Sequence, residues 1–213
     1  MNSKNLLITF LSLFILLSIP SAILFAYPIN VGDTIVLKDG PGTTGGGEFQ
    51  VWKDGIHYFN TFCVETNEYI NFNIPYKVAN ISEYAVRGGS GGGSPDPIDE
   101  KTAYLFYNFA MGTLTDYVYG SDASADALQK AIWFIEEENG GVNNSFVTLA
   151  QNAIDTGAWK GLGPVRVMNL VDPVTGARKQ DQLTLVPEPS TLLLLGGGII
   201  GLRLLKKRFK RKD

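Results

Sequence analysis

The alternation of apolar and polar positions divides the chain into two long apolar runs at its ends and a mixed body between them. The body opens with short runs of strand character. Residues 34–37 (TIVL) are β-branched and apolar, and a Gly-rich loop follows over 39–47. Residues 48–52 and 56–65 flank Lys53-Asp54-Gly55, and Asp-Gly between two apolar runs predicts a hairpin. Residues 69–79 predict further extended chain, limited by Pro75, and 87–97 (containing GGSGGGSPDP) a surface loop.

The middle of the body changes period. Residues 99–111 place Ala103, Phe106, Phe109 and Ala110 on one helical stripe behind a capping Asp99. A second helix is predicted over 124–138, with Leu128, Ala131, Ile132 and Ile135 inward and a stop at Asn139-Gly140-Gly141. A third spans 144–156. Strands return at 165–170 and 182–186, separated by a turn through 172–176. Strands, then helices, then strands predict an α+β domain: a β-rich sandwich or barrel-like body with a central block of about three helices.

Composition narrows the chemistry. The 213 residues are enough for one domain with a real core. Residues 27–186 hold 10 Lys/Arg against 19 Asp/Glu, so the body carries −9 and repels phosphate backbones; no nucleic-acid partner is expected. One histidine, His57, and one cysteine, Cys63, exclude zinc fingers, two-histidine metal sites and an internal disulfide framework. No metal or cofactor is expected. Asp96, Asp99 and Glu100, or Asp122 and Asp126, lack the spacing of a calcium loop, and Glu136-Glu137-Glu138 predicts a solvated helix end.

The two ends have the build of addresses. Lys4 and the apolar run 6–25, followed by Pro20, Ser21 and Ala22, predict a secretory signal peptide over 1–26. At the other end Pro187-Glu188-Pro189 precedes a Leu/Gly-rich run, and seven of the 18 basic residues lie in the last eleven positions, among them Arg203, Lys206, Lys207 and Arg208. The apolar stretch 192–205 spans roughly 21 Å as a helix, short of a bilayer core of about 30 Å, so it suits a temporary stop. Positive charge beyond it orients the tip to the cytoplasm. The segment 187–213 resembles the PEP-CTERM sorting tails of Gram-negative bacteria. That resemblance implies export across the inner membrane, transient anchoring there by a short transmembrane helix, and processing near the motif by an exosortase-type membrane enzyme. The product is then expected at the cell surface or in the extracellular matrix.

Cys63 is the residue with latent chemistry in the body, residues 27–186. An unpaired cysteine in an exported protein invites oxidation unless it is a buried apolar residue or its sulfur is already bonded. Leu128-Gln129-Lys130-Ala131-Ile132-Trp133 resembles the Thr-Gln-x-Ala-Ile-Trp motif of bacterial thioester adhesin domains, with leucine in place of threonine. The resemblance implies that Cys63, preceded by Phe62, bonds to the Gln129 side-chain carbonyl, with Phe62 and Trp133 excluding water. Helix-terminal amide groups near Gln129 are expected to favour the Cys63 thiolate and polarise that carbonyl. The implied function is covalent adhesion to surface amines or hydroxyls. The other reading is a non-covalent structural or polysaccharide-binding module with Cys63 as a core residue. Turnover is not expected: six strand residues place His57 roughly 20 Å from Cys63.

Overall fold

The computed structural model describes residues 29–89, 91–186 and Gly198. Within them, β1 (Thr34–Asp39), β2 (Phe49–Lys53), β3 (Ile56–Thr61) and β4 (Pro75–Ser82) come first. A short pair follows, β5 (Tyr84–Ala85) with β6 (Asp96–Pro97). Three helices come next, α1 (Glu100–Ala110), α2 (Asp122–Ile135) and α3 (Ser145–Asp155), and then β7 (Val165–Val171) and β8 (Arg178–Leu185). The α+β architecture is the expected one. The expected signal peptide and, Gly198 apart, the expected sorting helix lie outside the described residues, among which no helix is long and apolar enough to cross a membrane.

The main sheet is antiparallel in the order β3-β2-β1-β4-β7-β8. Its edges meet. Beyond β3 the chain continues alongside β8: Cys63 bridges Gln182, the Leu183 N–H donates to the Phe62 carbonyl, and the Thr61 hydroxyl donates to the Leu183 carbonyl. The sheet is therefore barrel-like. Alternation along each strand fills its interior with Ile35, Leu37, Phe49, Val51, Tyr76, Val78, Met168 and Leu170. On the outer face Val165, Val167, Leu183 and Leu185 meet the helices through Phe106, Phe109, Leu128, Ile132 and Phe146.

Local chemistry explains the element boundaries. Asp54 and Gly55 both have positive φ, as the two-residue hairpin turn requires. Asp99, Ser121 and Asn144 cap the three helices, each side chain accepting a backbone N–H two or three residues on. Three expectations need correction. Pro75 opens β4 instead of limiting a strand, because at the first position its missing N–H costs no ladder bond. The 87–97 segment packs inward as well as facing solvent: a Cβ on Gly89 would overlap the Glu138 carboxyl group. And the Glu136–Glu138 run is not a solvated end, since Glu136 and Glu138 are 6% and 7% exposed. Glu136 accepts the Asp99 N–H, and Glu138 accepts the Thr66 N–H and hydroxyl.

Candidate functional site

The strand period decides which way Cys63 faces. Phe62 and Val64 join the helix-side core, whereas Cys63, between them, belongs to the barrel-side cluster, to which α2 contributes Trp133. On α2, Leu128, Ala131 and Ile132 bury against the other helices, and this packing turns Gln129 toward the cysteine. Both Cys63 and Gln129 are 0% exposed.

The two side chains are in contact. The Gln129 Oε1 accepts the Gly47 N–H at 2.8 Å and the Cys63 N–H at 3.3 Å. The Cys63 thiol donates to the same oxygen at 3.4 Å, and Gln129 Nε2 donates to the Cys63 carbonyl at 2.9 Å. Each polar atom of the amide is thus partnered, as burial demands. Two backbone N–H groups converge on the carbonyl oxygen of a primary amide whose neighbour is a thiol. Such donors stabilise the negative charge that gathers on that oxygen when the carbonyl carbon becomes tetrahedral. The Trp133 indole N–H is buried outside full hydrogen-bond geometry, yet it is close enough to the sulfur to favour its anion.

Two details differ from expectation. The thiol is not primed as a thiolate: burial pushes its pKa well above the ordinary range, Glu65 adds to this, and the N–H groups of Trp133, Cys63 and Gly47 only partly oppose it. The polarising donors also do not come from the helix terminus. Gln129 is the eighth residue of α2, and the donors are supplied by Gly47 and by Cys63 itself.

The Gly-rich loop, which carried no chemistry in the sequence reading, forms the roof of this pair. A Cβ on Gly46 would overlap Gln129 Cγ and lie 2.7 Å from Trp133 Cζ2; one on Gly47 would lie 2.6 Å from the Thr61 carbonyl oxygen. Only glycine lets the backbone come this close. Asp122 and Asp126, considered above as calcium ligands, instead tie the loop down. Asp122 accepts the Gly42 N–H at 2.9 Å, and Asp126 accepts both the N–H and the hydroxyl of Thr43 at 2.6 Å. Next to the roof, the buried Glu48 is held by the Tyr117 hydroxyl and Asn60. Asp99 caps α1, and Glu100 accepts the Gly161 N–H. Among the described residues no group of three His, Cys, Asp or Glu side chains is placed to hold a metal ion.

Phe62 does not cover the pair directly; its ring lies 4.9 Å from that of Phe109 on the helix side. His57 is exposed, hydrogen-bonded to Asn60 and 5.6 Å from the Trp52 ring, while Cys63 is engaged with Gln129. A second buried polar group surrounds Glu65, whose carboxyl accepts the Asp181 N–H. Burial and the nearby Asp181, Glu68 and Glu138 push the Glu65 pKa well up. Asp181 accepts N–H groups from Val86, Leu170 and Asn169, and burial still raises its pKa to about 6.

Beyond β8 the chain enters its tail. Residues 185–208 match the PEP-CTERM protein-sorting motif. The match includes Pro187, Glu188, Pro189, Arg203, Lys206, Lys207 and Arg208. A PEP-CTERM motif marks a bacterial protein that is exported, held transiently at the membrane and processed there by exosortase, a membrane enzyme. Neither curated proteins nor solved structures give a significant match to the chain.

Proposed function

We propose that this exosortase-sorted protein is a covalent attachment module of the cell exterior, in which Cys63 and Gln129 close an internal thioester. The observation that carries the proposal is the buried Cys63 thiol on the Gln129 amide oxygen, with the Gly47 and Cys63 N–H groups aimed at that oxygen. The reaction balances without a co-reactant. The sulfur attacks the Gln129 carbonyl carbon, the thiol proton passes to the amide nitrogen, the C–N bond breaks, and ammonia leaves. The two N–H groups carry the oxyanion between these steps, and Trp133 limits water. The resulting electrophile acylates an amine or hydroxyl of a surface partner once, so the module attaches without turning over.

A second reading is favoured by one observation, the hydrogen bonding of both polar atoms of the Gln129 amide. A satisfied buried amide also serves as a structural tie between loop, strand and helix, leaving a passive surface module, one that binds polysaccharide or builds matrix, with Cys63 in its core.

Peptide mass spectrometry of the exported protein separates the two. The covalent reading expects the peptides carrying Cys63 and Gln129 to be joined and one ammonia lighter than their sum. Methylamine should release them, leaving a methylamide on Gln129 and a free thiol. Separate peptides of full mass, with a thiol that alkylates after denaturation, would sink it.

A further inference from the structure

Outside the roof of the Cys63–Gln129 pair lies a cleft of about 340 Å³, bounded by Asp39 of β1, Gly46, Phe49, Tyr69, Phe72 and Gln180. Gly46 belongs to both sides: its backbone lines the cleft and packs directly on Gln129 Cγ. A Cβ on Gly46 would also lie 2.8 Å from Gln129 Cδ, so this residue stands between the cleft and the carbonyl group. The walls are uneven in character. Phe49 and Phe72 form a tilted pair with ring centroids 5.7 Å apart, and Tyr69 stands 76% exposed at the rim. No lysine or arginine lines the cleft. The Asp39 carboxylate is exposed, and no hydrogen bond or ion pair to it is made among the described residues.

We propose that this cleft is the acceptor entrance, and that Asp39 is its specificity-determining residue, selecting an ammonium group carried on a slender alkyl stem such as a lysine side chain. The inference rests on the thioester reading. An unpaired carboxylate without a competing cation attracts an incoming ammonium. Aromatic faces accommodate the methylene stem and contribute to the attraction of the charge. A stem is needed because the reacting nitrogen must pass the Gly46 backbone, which an amine attached directly to a sugar ring cannot do without bringing the ring along. Chemically, the bound ammonium gives one proton to solvent, and its nitrogen attacks the Gln129 carbonyl carbon. The C–S bond breaks, the second proton passes to sulfur, and a secondary amide and a free thiol remain. The loop that must yield is tied to α2 at Gly42 and Thr43, through exposed bonds to Asp122 and Asp126, and at Gly47, through the single buried bond to Gln129 Oε1.

The test uses the intact protein and reads the rate of adduct formation on Gln129 by mass spectrometry. The probes are N-acetylcadaverine, a charged stem amine, hydroxylamine, a small neutral nucleophile, and glucosamine, a ring-borne amine. Asp39→Asn is expected to slow N-acetylcadaverine about three- to fivefold at low salt, in line with an exposed charge contact, and to leave hydroxylamine unchanged. High salt should erase the difference. Tyr69→Ala should also slow the stem amine alone, and glucosamine should be the slowest probe on the parent. Equal rates for parent and Asp39→Asn with N-acetylcadaverine, or an equal loss for both amines and hydroxylamine, would overturn the entrance while leaving the thioester standing. A parent protein with Cys63 and Gln129 peptides of full mass would overturn both.

Discussion

Helix α2 buries a neutral amide at Gln129 and, two turns later, carboxyl groups at and just beyond its end, Glu136 and Glu138. The amide has a partner for each polar atom, all of them backbone groups or the Cys63 thiol. The carboxyl groups are less well served: Glu138 Oε1 has no partner, and neither do Glu65 Oε2 and Glu68 Oε2 nearby. Burial raises the Glu136 pKa to about 8, with Asp99 and Asp96 adding repulsion against the hydrogen bonds it accepts. An amide keeps its charge state at every physiological pH, so its geometry stays put. A buried carboxyl trades stability for protonation. One helix thus carries a pH-indifferent site and a pH-sensitive end.

The largest test of this contrast is Gln129→Ala. It leaves the Gly47 N–H and the Cys63 N–H and carbonyl unpartnered in the interior and opens a cavity, with an expected cost of about 3–5 kcal/mol in urea unfolding. A cost below about 1 kcal/mol would mean that the amide is no keystone. Next comes Gly46→Ala. Its Cβ would overlap Gln129 and crowd Trp133, so about 2–3 kcal/mol should be lost together with any joined Cys63–Gln129 peptide. Gly45→Ala is the control: Gly45 has nothing within 4 Å of a built Cβ, and only its φ of +80° opposes substitution. It should cost about 1 kcal/mol and spare the pair.

At the acidic end the sign of the pH effect follows from the raised pKa. Glu136 binds its proton more tightly folded than unfolded. Its stabilising contribution is therefore complete below the unfolded value of 4.5 and is lost as pH rises through about 8. Asp181 acts in the same direction between 3.8 and about 6. The melting temperature should fall from pH 5 to pH 8, and Glu136→Gln should flatten that fall, adding about 1–3 kcal/mol at pH 8. An unchanged slope in the variant would show that Glu136 does not titrate in this range. The smallest effect is expected from Asp126→Ala, which frees Thr43 from two exposed bonds. It should cost about 0.5–1 kcal/mol and speed hydrogen exchange across residues 42–47 without altering exchange in β7.

How much of this was legible beforehand depended on the range of the interaction. The Asp54-Gly55 hairpin, the cap at Asp99 and the apolar stripes of the helices are set within a few residues, and they were readable as such. Cys63 and Gln129 were singled out through a resemblance, and they lie in contact across 66 positions of sequence. Their helpers were missed. Gly46 and Gly47 looked like ordinary loop glycines, because the groups that strap their loop to α2, Asp122 and Asp126, lie some 80 positions further along the chain. The Glu136–Glu138 run looked solvated because its cover comes from Thr66, Asp99 and Gly89, none of them a helical neighbour.

By itself the sequence determined the class of the domain, the boundaries of most elements and the sorting address at residues 185–208, because periodicity, capping, turn chemistry and the PEP-CTERM motif are all local. Tertiary structure alone decided that the sheet closes through Cys63 and Gln182, that Gly47 points its N–H at Gln129, and that the carboxyl groups beyond α2 are buried. The reason is physical. A buried polar group takes its partners from whichever segment the packing brings within about 3 Å, and that choice is made by the whole fold rather than by its neighbours in the chain.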